Sequence, residues 1–300
     1  MGTMTDHAEI AVTEMKENEA KVKFIRGAYP HVEWPDISAE RMWRGTTAKT
    51  RIEGYRDLVN MDGGTHYAFV TDLYKVVPHE VVLHNMLDVI DGMPEFGEPN
   101  VIIALASGGG KARFDINFPE VQHTIARINN GSTEIAGIGD VVNMKVTGLT
   151  SYDTGWSQRA VLGALRLVCT NGLTVGKEFA RFAGRHILSL DQDKFRKTLR
   201  VGMEKFSEQT ELWKAWAGKT LTGDEYEESW EVLPFSEKQR EKIQELPEEA
   251  SKRPLLDYIP KSVNQWFFYS VLTQFVTHEM ASVVTRTNIE PKIAEVFHNM

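Results

Sequence analysis

The alternation of apolar and polar positions is sharpest in two stretches. From Lys111 to Phe118, Ala112, Phe114, Ile116 and Phe118 fall on one side, and Lys111, Arg113, Asp115 and Asn117 on the other. Val142, Met144 and Val146 alternate with Asn143, Lys145 and Thr147 in the same way. A period of two predicts half-buried strands with polar outer faces. Val101 to Ala106 is apolar on both sides, which suits a central strand. Ser107-Gly108-Gly109-Gly110 turns the chain between it and Lys111. Tyr55 to Val59 and His66 to Val70 read as strands around Asp62-Gly63-Gly64, a hairpin turn. Tyr74 to Val77 reads as a further short strand. Thr5 to Phe24 is a polar, exposed helix, and Pro30 and Pro35 mark an irregular passage. Pro78 opens a helix that runs to about Ile90, at a position where its missing N–H is harmless.

The segment from Thr150 to Gly176 is predicted as strand end, turn, helix and cap. Asp153 and Thr154 are N-cap types. Val161, Leu165 and Val168 recur at helical spacing, and Asn171-Gly172 ends the run as a left-handed cap. On such a helix Arg159 and Arg166 share a side, either as a solvated face or facing a ligand. A strand is expected around Glu178 to Ile187. Beyond Leu190 the pattern turns helical, with candidates at Gln192–Trp216, Ser236–Leu246, Ser262–Met280 and Pro291–Asn299. Lys219 to Pro260, punctuated by prolines, reads as an acidic connection with short helices. Strands first and helices later predict an α+β protein, a mainly antiparallel sheet with packed helices followed by a helical C-terminal part. The expected divisions are an arm over 1–50, an α+β core over 51–190 and a helical region over 191–300 that packs on the core.

Composition narrows the function classes. The 300 residues are 42% hydrophobic and 25% charged, ordinary for a globular protein with a sizeable core. The lone cysteine, Cys169, excludes an intramolecular disulfide or a cysteine-clustered zinc site. The N-terminus has no basic and apolar leader pattern, and the longest apolar run, Trp266 to Val276, is too short for a bilayer. A cytoplasmic protein without a membrane partner is expected. The net charge of −8 is unevenly spread. Lys219 to Ala250 holds ten acids and four bases, whereas Arg181 to Lys205 holds seven bases and three acids.

Ser107-Gly108-Gly109-Gly110-Lys111 lacks the upstream Gly, the following Ser or Thr and the following helix of a phosphate loop. It reads as a hairpin turn whose glycines can bring backbone close to a ligand. The histidines show no metal-ligand spacing, and no nucleophile elbow or dinucleotide fingerprint appears. No metal and no cofactor are therefore predicted. The basic stretch carries the binding hypothesis. Lys194, Arg196, Lys197 and Arg200 cluster on one helix beside Arg181 and Arg185. With Arg159, and with Lys111, Arg113 and Lys145 from outward strand positions, they outline a groove for phosphates. Tyr152, Trp156 and Phe182 could stack bases if exposed. The alternative for every one of these residues is a solvated face or the core.

Three stretches resemble a known family. They are Tyr152-Asp153 with Arg166-Leu167-Val168-Cys169-Thr170-Asn171-Gly172-Leu173; Arg185-His186; and Asn264 to His278, with its Trp, aromatic, small, Thr, aromatic and closing His pattern. Together they are similar to the phage/plasmid-like protein family of unknown function, the nine-three-two domain family. The match departs at Ser270, where the pattern has Asn, and at Thr154-Gly155. The resemblance implies a mobile-element gene found among replication and recombination functions, and no particular reaction. The layout also resembles that of phage single-strand annealing proteins, which oligomerise around a basic groove. Three readings follow. The first is a binder of single-stranded nucleic acid that forms a homo-oligomer, with Trp213, Trp216 and Trp230 as partner anchors. The second is an enzyme whose site gathers Tyr152, Asp153, Asn171, His186 and His278. The third is an interaction protein acting on a host factor.

Overall fold

Two antiparallel sheets organise the chain in a computed structural model that describes residues 4–44, 50–130, 133–166, 171–173, 181–183, 191–251 and 264–300. The smaller sheet joins β1 (Ile37–Arg44), β2 (Thr50–Asn60) and β3 (Thr65–Thr71) in that order. The larger runs β4 (Asn100–Ala106), β5 (Lys111–Asn130), β6 (Thr133–Ser151), β7 (Arg159–Arg166) and β8 (Asn171–Leu173), with β9 (Arg181–Ala183) also paired to β7. The helices are α1 (Met4–Ala28), α2 (His79–Asp91), α3 (Gln192–Gly218), α4 (Gly223–Val232), α5 (Glu237–Ser251), α6 (Gln265–Gln274) and α7 (Val283–Asn299). A π-turn, Phe275–Glu279, continues α6. The protein is α+β, with a helical C-terminal part.

Both sharply alternating stretches are strands, and the residues opposite each other obey the expected faces. Ala112, Phe114, Ile116, Phe118, Val142, Met144 and Val146 are all buried. They meet α2 and α3, which supply Val82, Met86, Phe195, Leu199 and Phe206 to the same core. That core continues through Trp213, Trp216 and Trp266 to Ile293 and Phe297 of α7, so the helical part packs on the sheet through one apolar interior. Trp213, Trp216 and Trp230 are buried there. They are core residues of the chain rather than exposed anchors for a partner.

Four local expectations are corrected. The segment after Asp153 is strand β7, not a helix: Ala160, Leu162 and Ala164 alternate inward and pair with β6 from Leu149 to Val142. The shared helix side expected of Arg159 and Arg166 is therefore not formed. β4 is an edge strand, with Ile102 58% exposed. Tyr74 to Val77 forms no ladder. The polar faces of β5 and β6 are not solvated, for a reason developed below. β1, hidden behind Pro30 and Pro35, was not anticipated. Most of the strand expected over 178–187 lies outside the described residues.

Helix α3 reaches the sheet closely because residue 202 is Gly. A Cβ there would overlap the Cδ2 of Leu162 on β7. Gly202→Ala is therefore expected to cost about 1–3 kcal/mol through overpacking, read as a lowered Tm. Gly218→Ala meets nothing within 4 Å and should be neutral or stabilising.

Candidate functional site

The register of the larger sheet brings the predicted strand residues onto one face. Arg113 stands opposite Leu149, Asp115 opposite Thr147 and Asn117 opposite Lys145. Arg159 extends the first of these rows across β7. Arg181 on β9 pairs with Val161, in the second row. The polar residues do converge, but Arg113, Asn117, Asn143 and Lys145 are each at most 3% exposed. Helix α7 supplies a counter-charge to Arg113, and Asp115 of β5 supplies one to Lys145.

The contacts form an alternating chain of charge. Arg113 donates through Nη1 and Nη2 to the two Glu290 oxygens at 3.0 and 3.2 Å. Its Nη1 also donates to Thr287 Oγ1 at 3.1 Å. Its Nε donates to Asp115 Oδ2 at 3.0 Å. Asp115 accepts from Thr147 Oγ1 at 2.7 Å, and Lys145 Nζ lies 3.6 Å away. Burial opposes ionisation of both partners, yet the pairing outweighs it. Lys145 and Arg113, with the Thr147 hydroxyl, hold the Asp115 carboxyl well below the usual range. Glu290 and Asp115 hold the Arg113 guanidinium above its usual value despite burial. These cations are thus neutralised and shielded, which removes Arg113 and Lys145 from any solvent-facing groove. Lys111 is bound to Asp153 at the end of the same face. Sequence reasoning missed Glu290 and Thr287, whose side of α7 has no marked local pattern.

Tyr152 and Asp153 form a second structural knot. The Tyr152 hydroxyl accepts from the backbone N–H of His79, one of the orphan donors at the start of α2, at 2.8 Å. The His79 ring stacks on Tyr152 at 3.9 Å and contacts the Gly109 carbonyl at 3.0 Å through Nε2. Tyr67 donates to the Gly108 carbonyl. The glycine turn, with φ of 61° and 85° at Gly108 and Gly109, is thereby tied to α2 and β3. Burial, with Glu80 nearby, pushes the Tyr152 phenol well above its usual value. Burial also works against the Asp153 anion, but hydrogen bonds from Lys111 and the Gly155 N–H prevail and lower its pKa. Neither group is tuned for proton transfer near neutrality.

The five motif residues do not gather in one pocket. Asn171 pairs with Arg166, which pairs with Val142. From Val142 to Ser151, beside Asp153, β6 runs about 30 Å at its usual rise per residue. Asp153 and Asn171 thus belong to opposite ends of the sheet. His278 is exposed on the π-turn. His186, like Arg185, lies outside the described residues. Trp156 is buried, its backbone closed onto the Ser151 hydroxyl by two 2.9 Å hydrogen bonds. Among the described residues, no three His, Cys, Asp or Glu gather as for a metal ion, and no helix is long and apolar enough to cross a membrane.

The α3 cations remain at the surface. Asp191 caps α3 by accepting from Lys194 N at 2.9 Å, which fixes the helix start. Lys194, Lys197 and Arg200 are exposed and Arg196 is half-buried. Arg196 meets Asp193 at 3.0 Å, and Arg200 meets Glu95 at 3.5 Å. Asp193 is 95% exposed, and such solvent-exposed pairs contribute little and break readily.

The charge chain makes two predictions. Glu290→Ala should lower stability by roughly 3–5 kcal/mol, because it strands a buried guanidinium. Arg113→Met with Glu290→Leu should recover much of that loss in the same denaturation assay. The Asp115 contribution is complete above about pH 4, the unfolded value, and is lost as pH falls further. Acid unfolding of Asp115→Asn should therefore depend less steeply on pH below that point than that of the parent protein.

No curated protein and no solved structure matches the chain. A family model does match, over residues 66–294, from β3 to within α7. It includes the glycine turn, the Tyr152 knot and Glu290. The chain belongs to the family described as Domain of unknown function (DUF932).

Proposed function

We propose that this protein works by binding single-stranded nucleic acid, in several copies along a strand, in the replication or recombination of a phage or plasmid within the host cytoplasm. The observation that carries the reading is the exposed cationic side of α3. Lys194, Lys197 and Arg200 face solvent from one capped helix whose apolar side, Phe195 and Leu199, is locked into the core. Rigidly placed cations with weak acidic partners are suited to phosphate contacts. The helix runs beside the long β5–β6 ribbon, where the His123 ring packs 5.2 Å from Phe206. Arg113 and Lys145 are excluded from this contact set, being buried and paired. The enzymatic reading has lost its geometry, since Asp153 and Asn171 are far apart.

Fluorescence anisotropy with labelled single strands tests the proposal. Binding should weaken as salt rises, by roughly 0.7 in the log–log slope per phosphate contact. Replacing Arg196, Lys197 and Arg200 together by Ala should weaken binding to all sequences alike and reduce that slope by about 2. Lys197 and Arg200 are exposed and Arg196 is half-buried at the surface, so the stability change should stay small, about 0.5 kcal/mol for each exposed position. Lys238→Ala with Lys242→Ala is the control. Arg240 does not serve, because it pairs with Glu227 and lies 5.1 Å over the Trp230 ring. No binding at low salt would overturn the proposal. Equal loss in the control would reduce it to bulk charge.

A further inference from the structure

A cleft of about 640 Å³ opens where the two sheets meet. Its apolar wall includes Trp34, Ile103 and Leu105, and its rim carries Glu33 and Asp62. The volume lies within the range of pockets that hold small ligands or single side chains. Trp34 is buried, whereas Glu33 and Asp62 are exposed at the mouth. Among the described residues no lysine or arginine lines it, and His31 is its one basic side chain.

The walls are held in place by contacts already made without a ligand. Arg26 donates to the Pro35 carbonyl at 3.2 Å and to Glu80 at 2.8 Å, anchoring the loop that carries Glu33 and Trp34. A Cβ on Gly109 would come within 3.0 Å of Pro35, so the glycine turn packs directly on that loop. On the other side, Asn60 Oδ1 accepts from the Asp62 N–H at 3.1 Å, which orients the β2–β3 turn. A preformed cleft binds without the cost of ordering its walls.

The chemistry of the walls selects a ligand class. An aromatic and aliphatic lining accommodates an alkyl stem, and the indole face attracts a cation. The two carboxylates outnumber the one basic side chain of the described lining, His31, and favour a positive group over a phosphate or carboxylate. We propose that this cleft takes a lysine or arginine side chain presented by a peptide segment of a partner protein. The site lies apart from α3, and its occupancy does not depend on nucleic-acid binding.

Titration of the full chain labelled with 5-fluorotryptophan tests this by fluorine NMR, with the Trp34 signal identified from Trp34→Phe. The probes are a short alanine peptide carrying one Arg, the same peptide with Lys, and the same peptide with neutral citrulline. Agmatine serves as a free guanidinium. The Arg and Lys peptides should shift the Trp34 signal saturably, in the millimolar range of roughly 4 kcal/mol expected for one anchored side chain. Citrulline should not. Glu33→Gln with Asp62→Asn should weaken binding at least about tenfold, the equivalent of 1.4 kcal/mol. Glu231→Gln, an exposed acid on α4, should leave it unchanged. No shift with the Arg peptide, an equal shift with citrulline, or indifference to the double substitution would overturn the proposal. A response to agmatine without a response to the peptides would overturn the peptide source.

Discussion

The Arg113 guanidinium fixes the last helix, α7, to the larger sheet by a buried ion pair. It sits inside the larger sheet, 2% exposed, and spends its donors on Asp115 beside it and on Glu290 and Thr287 of α7. A charge in that position is tolerable only when it is paired and hydrogen-bonded. The pairing thus dictates where α7 lies. Within the sheet Asp115 continues the pairing to Lys145, so a second buried cation is neutralised on the same face. An apolar contact would hold α7 as firmly, but with less definition of its register, since apolar surfaces slide more easily than a two-toothed guanidinium–carboxylate fork.

Local pattern made the elements of the larger sheet legible where one face is apolar and the other polar. Lys111 to Phe118 and Val142 to Thr147 were readable as strands from their period alone. What local pattern could not convey was what covers the polar face, because the answer lies on a helix far along the chain. Arg159 to Arg166 was misread because the run satisfies two periods at once. Val161 and Leu165 fit a helix, while Ala160, Leu162 and Ala164 fit a strand. Pairing with β6 decides between them. The candidate site was partly legible. Lys194, Lys197 and Arg200 of α3 are exposed and Arg196 is half-buried, whereas Tyr152 fastens the glycine turn.

The two surfaces proposed for binding differ in sign and in construction. The α3 side is a convex row of cations on a rigid helix, suited to a polyanion that needs no shaped pocket. The cleft at the sheet junction is concave, acidic at its mouth and aromatic within, suited to a single basic group. A chain with a net charge of −8 can present both because its charges are segregated by region. Long-range attraction is set by each local patch once the separation exceeds a Debye length. One molecule can in this way hold an anionic strand and a basic protein segment at the same time.

The Arg113–Glu290 contact also has a consequence in time. The two residues are 177 positions apart. At synthesis rates of about 5–20 residues per second, Glu290 is added roughly 10 to 35 s after Arg113. Through that interval the nascent sheet holds a guanidinium whose principal carboxylate has not yet been made. β5 can pair with β6 in that interval, and the face that carries Arg113 then stays in contact with water, because the helix that covers it has not been made. The seating of α7 on the sheet is thus a late step, and it closes a very long loop.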